Sequence, residues 1–204
     1  VKNIKLIGIK NMKLVAIVGS AISSGKTKSA IEIACQAVKF GFDGNIDIEI
    51  IDLSEKNVSI LDGRKPHEYK DDTEEVVLSI LSGDVFLVGT PVYRGTYTGA
   101  LKNLLDHIPL TALENKPIGL VASGATTHHY LVIDHDLRGV LAWFNAYVLP
   151  GSVYLESSDF EENNVIDKNQ QIRLKELGVA LVHFYRRLNG LIAKPDCLTK
   201  EMWG

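Results

Sequence analysis

The sequence predicts an α/β protein: one sheet of five parallel strands with helices on both faces. Two observations predict it. Short apolar runs alternate five times with segments of helical periodicity along the 204 residues. Most of those runs are continuous rather than alternating, as expected of strands buried on both faces. Right-handed crossovers between such strands then wind the helices onto both sides of the sheet.

The elements follow in order. "KLVAIVG" (Lys13–Gly19) is a buried strand that stops at glycine. A helix is expected over Lys26–Lys39, with Ile31, Ala34, Cys35 and Val38 on one face. "KFGFDGN" supplies the turn, and Ile46–Leu53 forms the second strand. Ser54–Asp72 is a polar connection with one short apolar patch. Asp72–Gly83 is a helix with acidic residues in its first turn and glycine at its end. "DVFLVGT" is the third strand and runs directly into "PVYRGTYTG". Ala100–Ile108 is a helix closed by Pro109, and Lys116–Ser123 is the fourth strand. After "GATTHH", a helix is expected over Tyr130–Phe144. A fifth strand follows over Ala146–Glu156, bent at Pro150–Gly151, and a last helix spans Asn169–Leu188.

Composition bounds the function. Hydrophobic residues are 46% and charged residues 23%, the balance of a soluble globular chain. A net charge of −3 with scattered lysines and arginines excludes a nucleic-acid footprint. No apolar run approaches the roughly 20 residues of a spanning helix, so no membrane partner is expected. The two cysteines, Cys35 and Cys197, form no disulfide framework, and a cytoplasmic compartment fits. Met12 opens the first strand. Residues 12–190 therefore read as one domain, with an N-terminal extension (1–11) and a C-terminal tail (191–204).

Five such units take the flavodoxin-like order 2-1-3-4-5 by default, a three-layer sandwich. Ligands bind such sheets at the carboxyl ends of the strands, beside the switch point between strands one and three. The loops there are "GSAISSGKT" (Gly19–Thr27), "GTPVYRGTYTG" (Gly89–Gly99) and "ASGATTHH" (Ala122–His129).

The first loop joins a strand end to a helix start, where open backbone N–H groups and the helix dipole favour an anion. Ser20, Ser23, Ser24, Lys26 and Thr27 add hydroxyls and a charge. The same residues also fit a Ser/Thr-capped helix that binds nothing. A triphosphate loop needs four residues between its glycines, and here five separate Gly19 from Gly25. It also needs an acidic magnesium ligand at another strand end. The third and fourth strands end "VGTP" and "VASG", without one. G-x-G-x-x-G is absent too. In the second loop, Pro91, Val92, Tyr93, Arg94, Gly95, Thr96 and Tyr97 mix aromatic, cationic and hydroxyl groups with exposed backbone. Such a mixture suits a flat heterocycle, although two tyrosines that merely pack would look the same. A monophosphate loop beside two ring-lining loops describes a flavin mononucleotide (FMN) site.

The stretch "GTPVYRGTYTGALKNLLDHIP" (Gly89–Pro109) resembles the signature of the NAD(P)H-dependent FMN reductase family, in particular its alkanesulfonate-utilisation branch. The likeness runs from Met12 to about Leu188. It implies hydride transfer from NAD(P)H to flavin N5, with FMN and NAD(P)H as cofactors. It also implies a homodimer or homotetramer, and a flavin-dependent monooxygenase that receives the reduced flavin. By position, Ser20, Ile22, Gly25, Lys26 and Thr27 would hold the phosphate end. Pro91, Val92, Tyr93, Arg94, Gly95 and Thr96 would line the ring, and Ser123 and Gly124 would approach its pyrimidine side. No catalytic acid or base is required, and Arg94 is the residue placed to assist. The first loop departs from the family: Ala21 and Ile22 replace Pro-Arg, Gly25 replaces a serine and Lys26 an arginine. His135 stands where the sulfonate branch carries a tyrosine that interrupts a helix with a one-residue bulge. His128, His129, Asp134, His135 and Asp136 cluster in sequence, but no metal is expected, because no cysteine or glutamate completes a ligand set. Two alternatives share the fold: an FMN-containing quinone, azo or metal-ion reductase, and a flavodoxin-type electron carrier, which is usually more acidic.

Overall fold

The computed structural model describes residues 11–23 and 25–188. Residues 1–10, Ser24, Cys197 and the 191–204 tail, all named above, lie outside the described residues. Strand β1 is Asn11–Val18, followed by helix α1 (Lys26–Gly41), β2 (Asn45–Asp52), α2 (Thr73–Ser82) and β3 (Val85–Pro91). Helix α3 (Gly99–His107), β4 (Pro117–Gly124), a π-helical turn (Ile133–Leu137) and α4 (Arg138–Trp143) come next. The described residues end with β5 (Tyr147–Val148), β6 (Val153–Glu156), a hairpin of β7 (Phe160–Glu161) and β8 (Asn164–Val165), and α5 (Lys168–Leu188).

The main sheet has the order β2-β1-β3-β4-β5, with β6 also paired to β4, and every pairing in it is parallel. All seven residues of β3 are buried, which explains its unbroken apolar run. In β1 the period of two divides the side chains between two cores. Val15 and Ile17 join Phe86, Val88, Leu101 and Leu104 on one side. Leu14, Ala16 and Val18 join Leu87, Ile31, Leu177 and Leu181 under α1 and α5 on the other. Each fully buried side chain of this kind contributes roughly 1.5–3 kcal/mol.

The structure departs from the sequence reading in three places. The fifth strand is divided: β5 pairs with Pro117 and Ile118, β6 pairs with Val121–Gly124, and Pro150–Gly151 interrupts them. Gly151 has φ 79° and Pro150 has no N–H, so the ladder cannot continue through the pair. The helix expected over 130–144 begins as a 3-10 turn at Thr127–His129 and becomes α-helical only at Arg138. Between these, the Arg138 N–H reaches the Ile133 carbonyl five residues back. This π-turn contains His135, where the resemblance implies a bulge. Third, the β7–β8 hairpin is new.

The Ser54–Asp72 connection is pinned to α3. The Ser59 carbonyl accepts from the Asn103 amide at 2.9 Å and sits 2.8 Å from His107 Nε2, while Ser59 Oγ donates to Asp71 at 2.5 Å.

Candidate functional site

Three loops meet at the carboxyl ends of β1, β3 and β4, and backbone and hydroxyl hydrogen bonds join them. The Gly19 N–H donates to the Gly89 carbonyl at 2.7 Å, and the Val92 N–H donates to the Ser123 carbonyl at 2.7 Å. Thr98 caps α3 by accepting from the Leu101 N–H, and its hydroxyl donates to the Gly19 carbonyl. The Thr98 N–H in turn donates to Thr90 Oγ1 at 3.2 Å. Thr27 Oγ1 and Ser123 Oγ lie 3.0 Å apart, and both side chains are buried. These bonds make one unit of a helix start and two strand ends.

The first loop leaves the start of α1 uncapped by any side chain. Gly25 caps α1 in the left-handed region (φ 74°) and gives the helix no side-chain cap bond. The first turn of α1 carries no acidic residue, so its open N–H groups face no competing carboxylate. Ser20 is buried, and its hydroxyl donates to the Ile22 carbonyl at 2.6 Å, which shapes the loop from within. Ile22 is 61% exposed. Lys26 Nζ sits 5.3 Å from the centroid of the Phe160 ring. Lys28 is already spent, 3.1 Å from Asp52 and 2.7 Å from Glu55. Burial works against the Asp52 charge, but Ser54 and Lys28 outweigh it and hold the carboxyl below its ordinary range.

The second loop is a tight reversal. Tyr93 and Thr96 bridge antiparallel, with φ of 54° at Arg94 and 86° at Gly95. Two successive positive φ values turn the chain as in a two-residue hairpin. Tyr93, Arg94 and Gly95 therefore stand out into solvent. A methyl group added at Gly95 would meet nothing within 4 Å. A cleft of about 460 Å³ opens between Gly95 and the segment carrying His128, Leu131, Val132, His135 and Asp136. The His135 imidazole and the Thr96 hydroxyl hold the Asp136 carboxyl below its usual range, and His135 Nδ1 lies 2.7 Å from it. Burial pushes the Tyr97 phenol up.

Residues 12–160 match the family described as NADPH-dependent FMN reductase. The chain belongs to that family. It is an NAD(P)H:flavin oxidoreductase that uses FMN and NAD(P)H. The reductase is 35% identical over 175 residues to an NAD(P)H-dependent FAD/FMN reductase of Geobacillus thermodenitrificans, across 85% of this chain and 94% of that one. It is 31% identical to the NADH-dependent FMN reductase SfnF of Pseudomonas fluorescens, across 80% and 87% of the two chains. A solved apo structure of the NADH:FMN oxidoreductase EMOB superposes with a TM-score of 0.68 at 26% identity, covering 90% of this chain and 92% of that one.

The three loops carry the described residues that the sequence nominated, and they differ in exposure. Tyr93, Arg94 and Gly95 are exposed and Lys26 is half-buried, whereas Ser20, Thr27 and Ser123 turn their hydroxyls into the protein. Four residues of the site escape a reading by sequence. Thr98 locks loop two to loop one, and its only signal is a threonine ahead of an amphipathic run. Phe160 and Asn163 come from the hairpin. The Asn163 side chain lies against Gly25, about 3 Å from where a Cβ would stand. Tyr154, on β6, reaches under the third loop and donates its hydroxyl to the Thr126 carbonyl at 2.6 Å. Among the described residues, no three His, Cys, Asp or Glu side chains converge as metal ligands, and no helix is long and apolar enough to cross a membrane.

Proposed function

We propose that FMN lies across these three loops and that the enzyme reduces it as an exchanging substrate, releasing reduced flavin to a flavin-dependent monooxygenase. The phosphate takes the α1 N-terminus beside Lys26. The ring lies against Pro91–Thr96, with its pyrimidine edge toward Ser123 and Gly124. The observation that carries this reading is the open, uncapped α1 N-terminus joined by hydrogen bonds to two loops that can take a flat ring. The residues fit the group. A lysine without a carboxylate partner among the described residues meets the anion, and the turn at Arg94–Gly95 leaves room beside it.

FMN held there would supply the hydride acceptor, its N5, so the protein need supply no acid or base of its own. The chain's task is to hold two rings face to face and to exclude water. Arg94, exposed at the tip of its turn, meets negative charge on the reduced ring or on the pyridine-nucleotide phosphate. One lysine in place of an arginine fork grips phosphate less firmly, which suits release. The exposed Leu110, just after α3, and Trp143, on α4, border a groove of about 650 Å³, which supports a homodimer or homotetramer. We place the enzyme in the cytoplasm, where pyridine nucleotides supply the hydride.

Steady-state NADH and NADPH oxidation with FMN, FAD and riboflavin tests the reading. Gel filtration and an absorbance scan of the purified protein accompany it. Turnover that needs added flavin supports it. No turnover indicates a carrier. Flavin retained through gel filtration, with turnover on quinones, azo dyes or metal ions, indicates a reductase with a resident cofactor. Arg94→Ala lowers kcat/KM for NAD(P)H by about tenfold, the size of one charge-assisted hydrogen bond, and unchanged affinities and turnover would remove Arg94 from the site.

A further inference from the structure

The third loop has a fixed anchor that lies outside the family signature. Gly124 ends β4, and Thr126 follows as the chain turns away. Tyr154 comes from the neighbouring strand β6, 28 residues further on, and is 9% exposed. Its hydroxyl donates to the Thr126 carbonyl at 2.6 Å. The same oxygen stands 2.0 Å from where a Cβ on Gly124 would be, so only glycine lets the phenol pass beneath the loop. The ring also lines a second cavity, of about 440 Å³, together with Thr127, Glu156 and Arg173. Loop and phenol are therefore fitted to each other at Gly124 and at Thr126.

We propose that Tyr154 is a positioning residue for flavin reduction: its hydroxyl sets the height of the Ser123–Thr126 turn against the flavin ring. The proposal rests on the reading that this turn lines the ring. A backbone turn has no side chain with which to adjust its distance to a ring above it. Its position is set by its neighbours: Thr27 and the Val92 N–H hold Ser123 at its start, and the Tyr154 hydroxyl holds the Thr126 carbonyl at its end. Thr126 Oγ1, 3.1 Å from His128 Nδ1, braces the turn from the exposed side. Burial, reinforced by Glu156, raises the phenol above its ordinary value, so it remains a hydrogen-bond donor through neutral and mildly alkaline conditions.

The test uses Tyr154→Phe, Gly124→Ala and the double variant in the full-length protein. Flavin affinity is read from fluorescence quenching, kcat and KM for FMN and NADH from turnover, and integrity from circular dichroism and thermal melting. Tyr154→Phe keeps the packing and removes the anchor. It should raise the FMN KM and Kd by about five- to tenfold, the size of one lost hydrogen bond, with a smaller change in the NADH KM. Gly124→Ala should have at least as large an effect. The double variant should be no worse than the worse single, because both changes break the same bond and phenylalanine removes the atom in the way. Additive losses, or a Tyr154→Phe effect confined to melting temperature, would overturn the anchor. The two readings fail separately. If Gly124→Ala leaves flavin and NADH parameters unchanged, the turn does not line the ring. If Gly124→Ala impairs them and Tyr154→Phe does not, only the anchor is wrong.

Discussion

Thr27→Val tests whether the phosphate and ring ends of the site are one unit. Valine keeps the shape of threonine but removes the hydroxyl 3.0 Å from Ser123 Oγ. It strands a serine hydroxyl that is only 6% exposed. An unpaired buried hydroxyl costs about 1–3 kcal/mol, whereas removing both partners leaves nothing unpaired and costs less. At about 1–2 kcal/mol, a chain of this size should melt roughly 2–8 °C lower. If flavin binds only when the two loops are joined, a loss of about 1.4 kcal/mol weakens binding by up to about tenfold. The informative comparison is FMN against riboflavin, which lacks the phosphate, by fluorescence quenching. Thr27→Val should weaken both by a similar factor, and Thr27→Val with Ser123→Ala should fall short of the product of the single effects. If FMN weakens while riboflavin is unaffected, Thr27 is a phosphate ligand alone and the coupling argument is wrong.

Three further outcomes follow from the same geometry. Lys26→Ala should weaken FMN by about tenfold with riboflavin unchanged, and Lys26→Arg should tighten FMN through a bidentate contact; titrations at low and high salt check both. Asp71 is held at about 2 by Ser59 and Thr73, below its ordinary value. Its contribution to stability is complete above the ordinary carboxylate range, near pH 4, and is lost as pH falls from there through about 2; Asp71→Asn should flatten thermal midpoints measured over that window. Trp143→Glu, on the exposed face of α4, should lower the mass seen by sedimentation, and an unchanged mass would move the subunit interface elsewhere.

The sheet was legible because burial on both faces leaves its mark in consecutive residues. β3 is buried throughout and reads as an unbroken apolar run, and α5 shows Leu174, Leu177 and Leu181 at helical spacing. The candidate loops were legible for a related reason, since parallel order puts the ends of strands one, three and four together. What could not be read was pairing at a distance. Thr27 and Ser123 lie 96 residues apart, and Thr98 and Gly19 lie 79 apart. Nothing in a serine or threonine says which way its hydroxyl will turn. The hairpin strands are two residues each, too short to carry a period. The interruption of the fifth strand was anticipated as a bend at Pro150–Gly151, but whether a Pro-Gly pair bends a strand or breaks it depends on its neighbours.

The charge inventory around α1 connects these points to flavin exchange. Lys26 and Lys28 lie two residues apart on the same first turn. In the fold they part company. Lys28 faces β2, where Asp52 and Glu55 neutralise it and where its own pKa is raised by bonds to Glu55 and then Asp52. Lys26 faces the hairpin and rests over Phe160, which attracts the ammonium without cancelling its charge. In the proposed site, a phosphate dianion at the helix start would therefore meet one ammonium and the helix dipole, not two cations. An aromatic neighbour holds that single charge in place while leaving it free to act. Replacing Phe160 by leucine would keep the apolar contact and release the lysine, so FMN should bind more weakly while riboflavin does not change.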